Sequence, residues 1–259
     1  MCTKLLFPSI RNLTIKKDTV DSTEMKHFKK LADEWWDDKG PLRALHSLND
    51  LRIPLIRDRL IKIGATGGHE GKSVSVLDVG CGGGILVEAL NRAGHNVLVT
   101  GVDANDELIN VAKIHAKSKN LSLNYECTTI EEHAIVNAQK YDVVVSSETI
   151  EHVTEKQQFL RSCIQCLKPG GSLFMTTFNK TWLSHFAGIF LAENVFKCIP
   201  KGTHEYDKFI ALNDLIDLLK KEKCTTIFTS GIFYNPLTNN WFLSRFNPIS
   251  YALHAVKLC

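Results

Sequence analysis

Val76-Leu77-Asp78-Val79-Gly80-Cys81-Gly82-Gly83-Gly84 is the stretch that decides the fold. An apolar run ending in an acid has the pattern of a buried strand, and glycines let the backbone turn sharply where a ligand must press against it. Ile85-Leu86-Val87-Glu88-Ala89-Leu90 follows at once with helical character. A strand, a glycine turn and a helix in this order build a nucleotide-type cofactor site. The glycines stand at 80, 82, 83 and 84 with Ile85 and Leu86 next, so the last glycine of G-x-G-x-x-G is missing. Asp78 at the strand end holds the turn or, through water, a cationic amino-acid moiety. A dinucleotide pyrophosphate would be repelled there, which speaks against a nicotinamide oxidoreductase.

Asp103 supplies a second acid. It closes Asn96-Val97-Leu98-Val99-Thr100-Gly101-Val102, the next predicted strand. It lies roughly 20 residues beyond the glycines, the spacing at which an acid accepts hydrogen bonds from a ribose. A carboxylate suits this task because it only accepts, and a ribose diol offers two donors. The other role open to Asp103 is N-cap of the helix marked by Leu108, Ile109 and Ala112.

Outward from the turn, helical patterns run from about Met25 to Trp36 and Asn49 to Ile63. After it, helices from about Ile85 and Asp106, and a short one after Ile130, alternate with strands at 96–102, 121–127 and 141–146. A helix from about Glu155 to Leu167 is closed by Lys168-Pro169-Gly170-Gly171 ahead of a strand at 172–178. The tail adds a helix near Leu212 to Lys220, an extended stretch from Cys224 to Phe233, a turn-rich Asn235 to Asn240 and an apolar stretch Ile249 to Val256. Strands alternating with helices mean a parallel sheet with crossovers, and two late strands joined by a loop bring in an antiparallel one. The expected fold class is α/β, Rossmann-like, a mostly parallel seven-stranded sheet with one antiparallel strand in the edge region.

The chain has 259 residues, 44% hydrophobic and 23% charged, enough for one large core. Lys plus Arg number 31 against 28 for Asp plus Glu, a net charge of +3, which lacks the basic field nucleic-acid binding needs. No apolar run reaches the roughly 18 to 20 residues of a membrane span. Eight cysteines show no disulfide-framework or zinc spacing, which suits a reducing compartment. Cys163 and Cys166 form a lone C-x-x-C within a helical pattern and are expected to be packing thiols. Met1 to Lys17 carries Lys4, Arg11, Lys16 and Lys17, several hydroxyls and no acid, the composition of a mitochondrial transit segment. The expected organisation is a transit segment at 1–20 and a single domain at 21–259.

Ser146-Ser147-Glu148-Thr149-Ile150-Glu151-His152-Val153 follows a central strand, where open α/β sheets place ligands. On a helix, Glu148, Glu151 and His152 would share one face at i, i+3 and i+4. Two carboxylates that close repel unless a cation separates them, and oxygen-rich ligation with one imidazole suits Mg²⁺ or Mn²⁺. The residues equally allow a metal-free site in which the acid–histidine pair orders the loop or acts as a base.

With these residues in place the chain resembles the class I S-adenosylmethionine-dependent methyltransferases, and within them the ubiquinone-biosynthesis O-methyltransferases in their mitochondrial form. Beyond the glycine turn, Asp103, Glu151-His152 and the Lys168–Gly171 turn, the marks are Trp35-Trp36-Asp37, Leu45-His46, Asn49, Leu51-Arg52, Pro200-Lys201-Gly202-Thr203-His204, Lys208-Phe209-Ile210 and Tyr234-Asn235-Pro236. The resemblance implies that Arg52, Gly80, Asp103 and Ser147 bind S-adenosylmethionine, Arg52 through the methionine carboxylate and Ser147 mainly through its backbone. It also implies that Glu148, Glu151 and His152 ligate Mg²⁺. The implied acceptors are polyprenylated dihydroxybenzoate and demethylubiquinol, catechol or hydroquinone compounds. The implied setting is the matrix side of the mitochondrial inner membrane, as a peripheral protein in a multiprotein ubiquinone-biosynthesis complex. Other readings are a metal-independent C- or N-methyltransferase and a noncatalytic cofactor-binding subunit.

An apolar insertion at about 179–210 carries Trp182, Phe186, Phe190 and Phe196, with Glu193 and Lys197 as the charges between Thr181 and Ile199. It is either a lid over the pocket or an amphipathic helix in the membrane interface.

Overall fold

The computed structural model describes residues 32–62, 73–94, 96–181 and 208–259. The expected transit segment, most of the apolar insertion and the Pro200–His204 motif lie outside the described residues.

Two helices, α1 (Arg43–Ser47) and α2 (Asn49–Lys62), precede the sheet. Then come β1 (Val74–Val79), α3 (Ile85–Arg92), β2 (Val97–Asp103), α4 (Asp106–Ser118), β3 (Asn124–Cys127), α5 (Ile130–Val136), β4 (Tyr141–Ser147), α6 (Lys156–Cys166) and β5 (Leu167–Phe178). The chain closes with α7 (Leu212–Lys221), β6 (Cys224–Asn235), β7 (Asn240–Ser244) and β8 (Ser250–Lys257). The described strands form one eight-stranded sheet in the order β3-β2-β1-β4-β5-β8-β6-β7. The first five pair in parallel, whereas β8 runs antiparallel to both β5 and β6, and β7 antiparallel to β6.

The expected sheet is therefore short by one strand. Asn240-Trp241-Phe242-Leu243-Ser244 follows a turn-rich loop and is largely exposed, so periodicity gives it little signal. Pairing with the far half of β6, with Phe233 opposite Phe242 and Tyr234 opposite Trp241, makes it a strand. A second departure lies at Lys168–Gly171, which is no separate turn. It is taken into β5 across a register shift, Tyr141 pairing Leu167 and Val143 pairing Ser172, with Gly170 at φ +73°.

Alternation along the strands splits the core between two faces. Leu77, Val79, Val102, Val144 and Leu173 meet α5, α6 and α7 through Ile130, Leu160 and Leu215. Val76, Val99, Val143 and Val145 meet α2, α3 and α4 through Ile56, Leu90 and Ile109. Cys163 and Cys166 are buried free thiols of the first face, and burial raises both, Cys166 to about 12. That is the behaviour of packing residues rather than of a redox pair.

Candidate active site

The parallel strands end together, and the polar residues that interrupt their apolar runs gather there. Gly80, Gly82 and Gly84 take φ of +74°, +52° and +90°, a path open to glycine without strain. A Cβ on Gly80 would overlap the Thr149 side chain, whose hydroxyl donates to the Val79 carbonyl at 3.2 Å. The turn is thus pressed against the loop after β4.

Asp103 closes the turn from the β2 side. Its Oδ2 accepts from the Gly82 N–H and its Oδ1 from the Asn105 N–H, both at 2.8 Å. Asn105, not Asp103, caps α4, accepting from the N–H groups of Glu107 and Leu108 at 3.1 and 3.2 Å. The capping role is thereby filled, and Asp103 is left as a carboxylate facing the site. Burial raises its pKa, while the two backbone bonds and the nearby His152 pull it down.

Arg52 reaches in from α2 and is almost fully buried. Its Nη1 donates to Ser147 Oγ at 2.8 Å, and its Nε and Nη2 donate to Asn49 Oδ1 at 3.1 and 2.7 Å. Desolvation lowers its pKa to about 10, against the opposing charges of Asp78 and Glu148. Asp78 is pushed up to about 7 by burial, with Arg52 lowering it and Asp103 raising it. Ser147 Oγ lies 2.6 Å from Thr176 Oγ1, so the end of β5 joins the cluster. Arg52, Ser147, Asp78, Gly80 and Asp103 thus sit in one polar basin, and a cationic ligand carrying a ribose and a carboxylate fits its two raised acids and one arginine.

The acid–histidine segment departs from the helical expectation. Glu148 adopts φ +54°, and Ile150–His152 form a single 3₁₀ turn, so Glu148, Glu151 and His152 do not share one helical face. Burial raises Glu148 to about 7, with the Glu151 charge adding and a Thr176 hydrogen bond, Arg52 and His152 subtracting. Glu151 is also raised, by burial first, against His152. Its Oε2 accepts from Thr177 at 2.8 Å, whereas Oε1 is buried with no hydrogen-bond partner among the described residues. Among the described residues no three His, Cys, Asp or Glu side chains converge as a metal cluster. The donor chemistry nonetheless fits a hard cation, since two carboxyls raised by burial and an orphaned buried oxygen are what a cation would relieve.

Sequence reasoning missed Thr149, Thr176 and Thr177 as site residues, and took Asn49 only as a mark of resemblance. The readable signal was Thr176-Thr177 at the end of Leu173-Phe174-Met175, two hydroxyls where a core strand reaches the ligand end.

Comparison with known proteins places the chain in a family. A family described as "Methyltransferase domain" matches residues 70–231. The mouse protein named ubiquinone biosynthesis O-methyltransferase, mitochondrial, is 42% identical over 256 residues, covering 96% of this chain and 68% of that protein. The Vibrio vulnificus (strain YJ016) ubiquinone biosynthesis O-methyltransferase is 39% identical over 242 residues, covering 93% and 99%. Among solved structures, the fold is shared by magnesium protoporphyrin IX methyltransferase from Synechocystis PCC 6803 with bound SAH, at TM-score 0.58 and 17% identity over 91% of this chain and 94% of that one. By these matches the chain belongs to the ubiquinone biosynthesis O-methyltransferase family of S-adenosylmethionine-dependent methyltransferases.

Proposed function

We propose that this enzyme methylates a hydroxyl of polyprenylated dihydroxybenzoate and demethylubiquinol, with Mg²⁺ at Glu148, Glu151 and His152. The observation that carries this reading is the joining of an arginine–acid cofactor basin to a pair of raised carboxyls at the same strand ends. Bound S-adenosylmethionine supplies an electrophilic methyl group on a sulfonium.

The residues of the chain do the rest. Asp103 accepts from the ribose hydroxyls, Arg52 and Ser147 hold the methionine end, and Asp78 offers negative charge beneath the cationic portion. Displacement at the methyl carbon is in line, so the acceptor oxygen must be aimed and stripped of its proton as it attacks. Glu148, Glu151 and His152 would hold Mg²⁺, whose Lewis acidity favours the deprotonated catechol.

The proposed setting is the matrix face of the mitochondrial inner membrane, as a peripheral member of a ubiquinone-biosynthesis complex, with a transit segment at 1–20. No helix among the described residues is long and apolar enough to cross a membrane; membrane attachment is proposed through the apolar segment 181–199, whose other reading is a lid over the pocket. Labelled S-adenosylmethionine and a prenylated catechol test the activity, and an O-methylated catechol is the expected product. Label on carbon or nitrogen, or binding without turnover, refutes it. Phe186→Ser with Phe190→Ser should release the protein from liposomes, and retained binding with lost turnover would make the segment a lid.

A further inference from the structure

The glycine turn is the least self-determined backbone of the site, because three of its residues lie at positive φ with no side chain to restrict them. Something outside it must hold it. Trp35 and Trp36, just after the 3₁₀ turn Ala32–Glu34, lie directly on it. A Cβ on Gly82 or Gly83 would overlap the Trp35 indole, so these two glycines make room for a tryptophan. Trp36 Nε1 donates to the Gly83 carbonyl at 3.0 Å.

Both indoles are anchored by groups on other elements. The Trp36 ring stacks on His115 of α4, with centroids 3.4 Å apart and planes within 9°. His115 Nδ1 lies 2.7 Å from Oε1 of Glu88, which is 0% exposed in the first turn of α3. His46 Nε2 lies 2.9 Å from the Trp35 carbonyl. Asn49 connects this clamp to the cofactor arginine, donating to the Ile85 carbonyl at 3.2 Å while accepting from Arg52. Trp35 also packs with Leu42, Ile85 and Leu108 in an apolar cluster separate from the main core.

We propose that Trp35 and Trp36, braced by the His115–Glu88 pair, are positioning residues that hold the glycine turn in its cofactor-binding conformation and thereby set affinity for S-adenosylmethionine. The contacts link the turn, the first residue of α3 and α4, three of the pieces of backbone around the basin. A preorganised turn need not be ordered by the ligand, so affinity rises without any indole–ligand contact.

Calorimetric titration with S-adenosylhomocysteine tests this, since that ligand binds without turnover and needs no acceptor or metal. Trp36→Phe keeps a ring on His115 and removes the bond to Gly83, so its Kd should rise about three- to tenfold. Trp36→Ala and His115→Gln should raise it at least as much, with the KM for S-adenosylmethionine moving far more than kcat. A wild-type Kd in folded Trp36→Phe and His115→Gln overturns the clamp, provided Asp103→Ala weakens binding. Retained binding in Asp103→Ala would instead count against the ribose assignment, so the two failures are distinguishable. If Trp36→Ala does not fold, the two milder variants decide.

Discussion

Replacing Asp103 with Ala removes three things at once. The Gly82 and Asn105 N–H groups each lose a charged acceptor at 2.8 Å, and in the proposed site the ribose would lose its acceptor. Hydrogen bonds to a charged group are worth about 1.5–3 kcal/mol each, but desolvation of this carboxylate offsets part of that, as its raised pKa shows. The two backbone bonds tie the turn to the start of α4 and exist without ligand, so their loss should lower the unliganded protein's stability by about 1–3 kcal/mol. The proposed ribose bonds would form only in the complex, and their loss should weaken S-adenosylmethionine binding by about 1.5–3 kcal/mol, roughly 10- to 150-fold. Titration calorimetry measures the second quantity and denaturant unfolding the first. Asp103→Asn keeps one acceptor, so it should fall between wild type and Asp103→Ala in both. A folded Asp103→Ala protein with lower stability and unchanged affinity would refute the reasoning, leaving Asp103 as a brace of the turn.

The remaining predictions concern charge and shape. Asp78 has its pKa raised from 3.8 to about 7, so the folded state retains a proton that the unfolded state loses. Stability from this group is greatest below pH 4, declines as pH rises to about 7 and is level above, by at most about 4 kcal/mol. Asp78→Asn should therefore flatten the stability profile over that interval and weaken cofactor binding; an unchanged profile from pH 4 to 7 would contradict this. A bound cation lowers the Asp78 pKa, so binding at pH 7 should release protons, visible when the binding enthalpy is compared in buffers of different ionisation enthalpy. Glu148→Gln and Glu151→Gln should each lose activity that added Mg²⁺ partly restores while cofactor affinity stays near normal, and full turnover under strong chelation would reject the metal. Gly80→Ala forces φ +74° on a residue with a Cβ and overlaps Thr149, so it should cost at least about 1–2 kcal/mol in an unfolding titration.

The sequence by itself determined the order of elements from α2 to β6, because buried parallel strands and amphipathic helices carry their periods locally. It located the glycine turn, Asp78 and Asp103 for the same reason: acids and glycines at the end of an apolar strand are local anomalies. Resemblance, rather than periodicity, pointed to Arg52, whose place beside Ser147 depends on α2 folding back onto the end of β4. Only tertiary structure decided what depends on neighbours far along the chain. Strand β7 exists because β6 pairs with it, and Asp103 is relieved of capping because Asn105 reaches the free N–H groups of α4. Glu148 and His152 are separated from a common helical face by a left-handed residue and a 3₁₀ turn. Thr176 enters the site because β5 ends beside β4, and Trp35 covers Gly82 and Gly83 across nearly fifty residues of chain. Local sequence encodes backbone period and burial, whereas hydrogen-bond partners and charge environments come from contacts that form only when distant segments meet.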